Sequence, residues 1–219
     1  MKDLCYIVSA GDVGGILPRI GEHDLVIAAD AGYLALGRLG LTADIAVGDF
    51  DSLGSVPECK EIIKHPVRKD DTDTMLAVKT GYDRGYRSFV LLGCTGGARP
   101  DHTIANIQTL LWLAERGARG YMYGEPVSYT AICNGCVRFP SGGRGTVSVF
   151  CFGRDARGVC EKGLEYSLED AVLTSSFPLG VSNSFTDGRA EISVRDGSLV
   201  ICWQTSAGDF MNTVREGCK

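Results

Sequence analysis

The chain has 219 residues, 44% of them hydrophobic and 22% charged, with a formal net charge of −5. This is the composition of a globular protein long enough to bury a core, and its acidic balance argues against nucleic acid, whose phosphates require a basic face. No apolar run of about 18 residues is present to span a membrane, and the apolar core of the opening MKDLCYIVSAGD is too short for a signal peptide, so a cytoplasmic protein is expected.

In chain order, Leu4–Ser9 (LCYIVS) reads as a buried strand, followed by Gly11, Gly14 and Gly15. Leu25–Ala29 (LVIAA) is a second strand, ending at Asp30, and Ala31–Leu39 is a short helix stopped by Gly40. Ile45–Val47 is a third strand, ending at Gly48-Asp49. Thr72–Arg84 carries Met75, Val78 and Tyr82 at helical spacing, with Gly85 as its stop. Ser88–Leu92 (SFVLL) is a fourth strand, opening into Gly93-Cys94-Thr95-Gly96-Gly97, and Thr103–Arg116 is a helix with Ile104, Ile107, Leu110, Leu111 and Ala114 on one stripe. Continuous apolar strands alternating with helices predict a parallel sheet covered on both faces.

From about residue 126 the helical period fades. Short alternating segments follow at Thr146–Phe152, Ala171–Leu173, Arg189–Val194 and Ser198–Trp203. Asp196-Gly197 is placed as a hairpin turn between the last two. Cys133-Asn134-Gly135-Cys136 is a lone CxxC with no second close pair to complete a zinc site, so it reads as two cysteines flanking an Asn-Gly hairpin. Nine cysteines in all, an odd number in a chain expected to be cytoplasmic, read as reduced thiols. The organisation expected is an α/β domain over residues 1–125 and an antiparallel β-sandwich over 126–219.

The chemistry gathers where the first-half strands end. In an open parallel sheet, ligands bind outside the carboxyl ends of the strands. There the sequence places Asp30, then Asp49 and Asp51 in AVGDFDSL, then the Gly93–Gly97 loop with Arg99, Asp101 and His102 beyond it. Lys69-Asp70-Asp71-Thr72-Asp73 opens the helix between. Some of these acids have a simpler reading. Asp70, Asp71 and Asp73 lie at a helix N-terminus, where negative charge is favoured by about 0.3–1 kcal/mol, and Asp101 can cap the next helix. Capping does not account for Asp30, Asp49 and Asp51 on one rim. Their repulsion would raise their pKa values or be relieved by a cation, and Mg²⁺, oxygen-liganded and usually shared with substrate phosphates, is the natural one. With no GxxxxGK[ST] and no GxGxxG after the first strand, neither a P-loop nor a dinucleotide site is supported. The glycine loop can still bring backbone N–H groups to an anion, and Arg99 can contact a phosphate in bidentate fashion. Together these favour a nucleoside triphosphate.

Three motifs, Gly48-Asp49-Phe50-Asp51-Ser52, Asp70-Asp71-Thr72-Asp73-Thr74 and TGGARPDHTIANIQTL (95–110), join a later Ser182-Asn183 in GVSNSF and a late Trp203. In this order they resemble the thiamine pyrophosphokinase family across nearly the whole chain. The resemblance implies a Rossmann-like α/β domain followed by a β-sandwich, and homodimers with each active site at the subunit interface. It implies transfer of the pyrophosphoryl group of ATP to the hydroxyl of thiamine, giving thiamine diphosphate and AMP. It further implies Asp30, Asp49, Asp51 and Asp73 as Mg²⁺ ligands, and Gly96, Gly97, Arg99 and Asp101 on the ATP side. Ser182, Asn183 and Trp203 fall on the thiamine side. Two departures stand out: Asp30-Ala31-Gly32 where relatives commonly have Asp-Gly-Gly, and Asp71 where many have lysine.

A carboxylate of the cluster, Asp73 or Asp70, is expected near the attacking oxygen, although positioning outweighs a strong base in phosphoryl-type transfer. Trp203 offers a flat face to a cationic heterocycle, the plainer alternative being a strand aromatic. Ser182-Asn183 can equally be a polar turn. His102 sits at a helix start, which disfavours its protonated form, so a structural hydrogen bond is the expected role. Two rivals are weighed. One is a haloacid-dehalogenase-like phosphatase using the Asp49-Phe50-Asp51 DxD spacing, although that motif usually falls on the first strand rather than the third. The other is a non-catalytic nucleotide sensor.

Overall fold

A computed structural model describes residues 3–16, 18–50, 59–65 and 70–217. Asp51, Ser52, Leu53 and Lys69 lie outside them. The chain divides into two compact units, one running to Thr109 with Met122–Gly124, the other comprising Leu110–Tyr121 and Glu125 onward.

The first unit holds β1 (Cys5–Val8), β2 (Leu25–Ala29), α1 (Gly32–Arg38), β3 (Ile45–Gly48), β4 (Glu61–Lys64), α2 (Asp73–Asp83), β5 (Ser88–Leu92) and the start of α3 (Pro100–Glu115). Its strands run parallel in the order β5-β1-β2-β3-β4. Ile7 lies between Leu91 and Ile27 in register, and β1, β3 and β5 are buried throughout, as their unbroken apolar runs require. After β1 the chain builds outward through β4, then returns to place β5 on the other side of β1. The order therefore reverses between β1 and β5, and such a switch point is where an open α/β sheet places its ligand.

Helix α2 begins one residue later than the periodicity suggests. Thr72 is its cap, with Oγ1 accepting from the Met75 N–H at 3.1 Å, so Asp70 and Asp71 are not needed for capping. Asp71 instead pairs with Lys79 at 2.7 Å. Helix α3 starts three residues earlier than expected, at Pro100, whose fixed φ and missing N–H suit a first helical position. Asp101 thus sits inside the first turn rather than capping it. Strand β4 was not foreseen; its EIIK is mostly exposed and lacks the apolar run of its neighbours.

The second unit follows β6 (Arg119–Met122) with β7 (Val127–Cys133), β8 (Cys136–Phe139), β9 (Thr146–Cys151), β10 (Ala156–Lys162), β11 (Leu168–Leu173), β12 (Gly180–Ser184), β13 (Ala190–Ser193), β14 (Ser198–Gln204) and α4 (Ala207–Gly217). Two antiparallel arrays result, β12-β9-β14-β7 and β11-β10-β13-β8. They share a core: Phe139 of β8 meets Trp203 of β14 edge-on, ring centroids 5.4 Å apart. Helix α4, also unforeseen, buries Phe210, Thr213, Val214 and Gly217 on one stripe and is opened by a Ser206 Oγ to Asp209 Oδ2 bond of 2.8 Å.

The two expected hairpins are corrected. β7 pairs with β14 and β8 with β13, so Asn134-Gly135 carries the chain from one array to the other. Asp196-Gly197 does the same between β13 and β14. The crossings lie side by side: Asn134 N–H donates to Gly197 O at 3.1 Å, and Gly197 N–H donates to Asn134 Oδ1 at 2.9 Å. Asn134 (φ 48°) and Gly197 (φ 117°) have the positive φ that such dipeptides signal. A corner between sheets needs that backbone as much as a hairpin does.

Candidate functional site

The crevice at the switch point is a cavity of about 390 Å³ in the first unit. Its walls come from Ser9–Gly11 after β1, Asp30 after β2, Thr72–Thr74 at the start of α2, the Gly93–Arg99 loop, and His102 and Asn106 of α3. The ends of β1, β2 and β5 contribute because these strands are parallel and in register, so their carboxyl ends share one edge.

Asp30 and Asp73 line this cavity together. Asp30 has φ 45°, an uncommon conformation for a residue with a Cβ. Its backbone N–H donates to Val47 O at 2.8 Å, joining the ends of β2 and β3. A Cβ placed on Gly48 would lie 3.2 Å from Asp30 Cα, so Gly48 lets the following Asp49 leave β3 against the Asp30 backbone. Asp49 is half-buried, and the buried Phe50 behind it has φ 60°. Asp70 is exposed at the approach to α2. Asp51 falls outside the described residues.

These acids fit a hard divalent cation in kind: all donors are oxygens, and a Mg²⁺ that shares substrate phosphates needs one or two carboxylates. Among the described residues no three acidic, histidine or cysteine side chains close on one point as a preformed cage.

The glycine loop is held from below. Ser9 N–H donates to Leu92 O at 2.9 Å and Gly11 N–H to Gly93 O at 3.0 Å. The approach is close enough that a Cβ on Gly11 would stand 2.6 Å from Gly93 O, and Gly93 itself has φ 65°. A buried polar knot lies beneath: Ser9 Oγ and Thr74 Oγ1 are 2.8 Å apart, the Cys94 thiol donates to Ser9 Oγ at 3.3 Å, and Asn106 Nδ2 donates to Cys94 O at 2.8 Å. Burial pushes the Cys94 thiol up to about 12, so it stays protonated as a donor. Gly96 and Gly97, with φ 71° and 75°, are exposed above the knot.

Arg99 lies at the mouth, its guanidinium bound to the Asp101 carboxylate by Nε at 3.0 Å and NH2 at 2.7 Å. That pairing holds the Asp101 carboxyl below the usual range. Both side chains are more than half exposed, so water screens the pair and a phosphate can exchange for the carboxylate. His102 is exposed; its N–H donates to Arg99 O at 3.1 Å. Ser9, Thr74 and Asn106 were not anticipated. A polar residue inside the apolar stripe of α3 was the available signal for Asn106.

In the second unit, Trp203 and Asn183 lie in one cross-strand row, each opposite Val147 of β9. All three are buried, so the row faces the core. Trp203 stacks on Phe210 at 6.2 Å and lines a cavity of about 430 Å³ with Phe139, Phe185 and the Ser141–Gly145 turn. The Asn183 amide fills all four of its hydrogen-bonding positions within the chain. Oδ1 accepts from Tyr166 N–H at 3.0 Å and Ser184 N–H at 2.9 Å; Nδ2 donates to Glu161 Oε2 at 2.9 Å and Tyr166 O at 2.6 Å. Ser182 is exposed at a bulge where the register jumps between Gly180 and Asn183, with φ 63° and its N–H on Ser148 Oγ at 3.0 Å. Adjacent in sequence, Ser182 and Asn183 thus have opposite surroundings, one open and one enclosed.

The family model described as thiamin pyrophosphokinase, catalytic domain, matches residues 19–122, and that described as thiamin pyrophosphokinase, vitamin B1 binding domain, matches 137–199. No curated protein matches the chain significantly. Among solved structures, thiamine pyrophosphokinase from Bacillus subtilis superposes with a TM-score of 0.80 at 24% identity, covering 94% of this chain and 100% of that one. A thiamin pyrophosphokinase family protein from Enterococcus faecalis gives 0.75 at 25%, covering 94% and 100%. Thiamin pyrophosphokinase from Candida albicans gives 0.73 at 14%, covering 94% and 90%, a likeness of fold.

Proposed function

From the premise that the chain belongs to the thiamin pyrophosphokinase family, whose two domain models it matches in order, we propose which of its residues carry the family's reaction. The enzyme is a thiamine diphosphokinase that transfers a pyrophosphoryl group from ATP to thiamine, and neither the phosphatase nor the sensor reading is favoured by those matches. The observation that carries the residue assignment is the switch-point cavity, where Asp30 and Asp73 face the glycine loop across one crevice.

ATP is read into this cavity with its phosphates towards Gly96, Gly97 and Arg99. Positive-φ glycines turn backbone N–H groups outward, the arrangement that receives an anion. Arg99 exchanges Asp101 for phosphate oxygen, with the exposed Asp101 carboxylate as its resting partner. Asp30, Asp49, Asp51 and Asp73 would hold Mg²⁺, which when bound supplies neutralisation of the triphosphate charge. Asp70 or Asp73 takes the proton from the thiamine hydroxyl. Because the transition state is loose, in-line placement by the loop and the α2 terminus contributes more than base strength.

The thiamine side is assigned to Ser182 on its bulge and to Trp203, with Asn183 holding the bulge from the core. The enzyme is read as a homodimer with the active site at the subunit interface. Tyr166, Phe177, Leu179 and Val181 support this: they are 42–67% exposed on and beside β12, which ends its sheet. A cytoplasmic setting accords with the free state of the described cysteines, and no described helix is long and apolar enough to cross a membrane.

Product analysis tests the reading. With ATP, Mg²⁺ and thiamine, the expected products are thiamine diphosphate and AMP; ADP with thiamine monophosphate would overturn the pyrophosphoryl assignment.

A further inference from the structure

Glu161 is a buried acid that the proposed mechanism does not use. It sits on β10 and is 1% exposed. Its Oε2 accepts from Asn183 Nδ2 across the sandwich, while Oε1 is buried with no hydrogen-bond partner among the described residues. A carboxyl with one accepted bond in such a place costs stability, since burial disfavours its charged form and leaves lone pairs unfilled. What it gains is control of Asn183.

Asn183 is the clamp behind Ser182. It grips both polar groups of the Tyr166 backbone, and Glu165 N–H donates to Ser184 O at 3.0 Å beside it. On the open side, Ser182 N–H is held by Ser148 Oγ. Between these two anchors β12 carries one extra residue relative to β9, from Gly180 opposite Val149 to Asn183 opposite Val147. Ser182 is thereby kept at φ 63°, a conformation that costs a non-glycine residue energy and persists only where its surroundings impose it.

We propose that Glu161 is a positioning residue for the thiamine side of the active site, acting through Asn183 to hold the β12 bulge that presents Ser182. This rests on the reading of Ser182 as facing thiamine. The hydrogen bond, not the negative charge, is the working part: Asn183 needs an acceptor at that point, and an amide oxygen supplies one equally well.

The test uses the full chain and separate KM values for thiamine and ATP. Glu161→Met, similar in length but without an acceptor, is expected to fold and to raise the thiamine KM about tenfold, the effect of one lost buried hydrogen bond. The ATP KM should stay within about twofold, since the ATP cavity is built from other elements. Glu161→Gln should restore the parent thiamine KM. A folded Glu161→Met with parent thiamine KM overturns the proposal. So does Glu161→Gln as impaired as Glu161→Met, or an equal rise in both KM values, which would mark a general loss of structure. If Glu161→Met yields no folded protein, Glu161→Asp carries the test: it keeps the acid but shortens its reach, and a parent thiamine KM there overturns the proposal. Ser182→Ala separates the layers. Its thiamine KM should rise; if it does not, the underlying thiamine-side reading fails, whereas a rise there with none in Glu161→Met sinks the Glu161 role alone.

Discussion

Asn106 Nδ2 donates to the carbonyl oxygen of Cys94 at 2.8 Å, and this buried bond ties α3 to the loop leaving β5. The loop is anchored from one side by the backbone just after β1 and from the other by this side chain. Asn106→Leu would leave the Cys94 carbonyl without that donor. A loss of about 1–3 kcal/mol in unfolding free energy is expected, the usual cost of such an orphaned group. The ATP KM should rise while the thiamine KM holds, as chemical denaturation and steady-state kinetics on the variant will show.

Asp73→Asn and Asp51→Asn are expected to abolish turnover while leaving the far-ultraviolet circular dichroism and the melting transition intact. Both remove negative charge assigned to the cation. Mg²⁺ titration of the parent followed by calorimetry in the presence of a non-hydrolysable ATP analogue should show binding that each variant weakens. Normal activity in either variant removes the metal role given to that residue.

Glu161 gives the stability a pH dependence of known sign. Burial raises its folded-state pKa above the unfolded one, against a smaller opposing effect of the Asn183 bond. The folded state therefore retains a proton that the unfolded chain releases. Its contribution to stability is fully present below the unfolded pKa and is lost as pH rises through the folded pKa. Glu161→Gln has no such proton to lose, so its stability relative to the parent should improve as pH rises above the ordinary glutamate range. Denaturant midpoints across that rise measure it, and a flat difference would show that Glu161 does not ionise differently on folding.

Phe177→Asp places a charge among the exposed apolar residues beside β12. If the dimer forms on this face, sedimentation equilibrium should show a monomer for the variant and a dimer for the parent, with activity lost alongside. A dimeric Phe177→Asp would move the interface elsewhere.

The first half was legible because parallel strands buried on both faces carry unbroken apolar runs, as CYIV, LVIAA and FVLL are. Their ends then announce the site: Asp30, Asp49 and the glycine loop fall at strand termini by sequence alone. Strand β4 escaped because an exposed edge carries no apolar run. Helix α4 escaped although Phe210, Thr213, Val214 and Gly217 have helical spacing, with Ser206 and Asp209 forming its cap. Ser9, Thr74 and Asn106 had little to mark them, since a hydroxyl or amide shows its importance through the group it meets.

What could be read along the chain was the run of apolar strands and helices in the first half, the acids and glycines at their ends, and the family, because burial periodicity and short motifs are local; β6, β10 and β12 escaped it along with β4 and α4. Tertiary structure alone decided that Asn134-Gly135 and Asp196-Gly197 are paired corners rather than hairpins, and that Ser182 is open while Asn183 is locked to Glu161. Those outcomes depend on which strand lies alongside which. Backbone conformations of the same local kind serve either arrangement, so the choice is made by hydrogen bonds and packing between residues far apart in the chain.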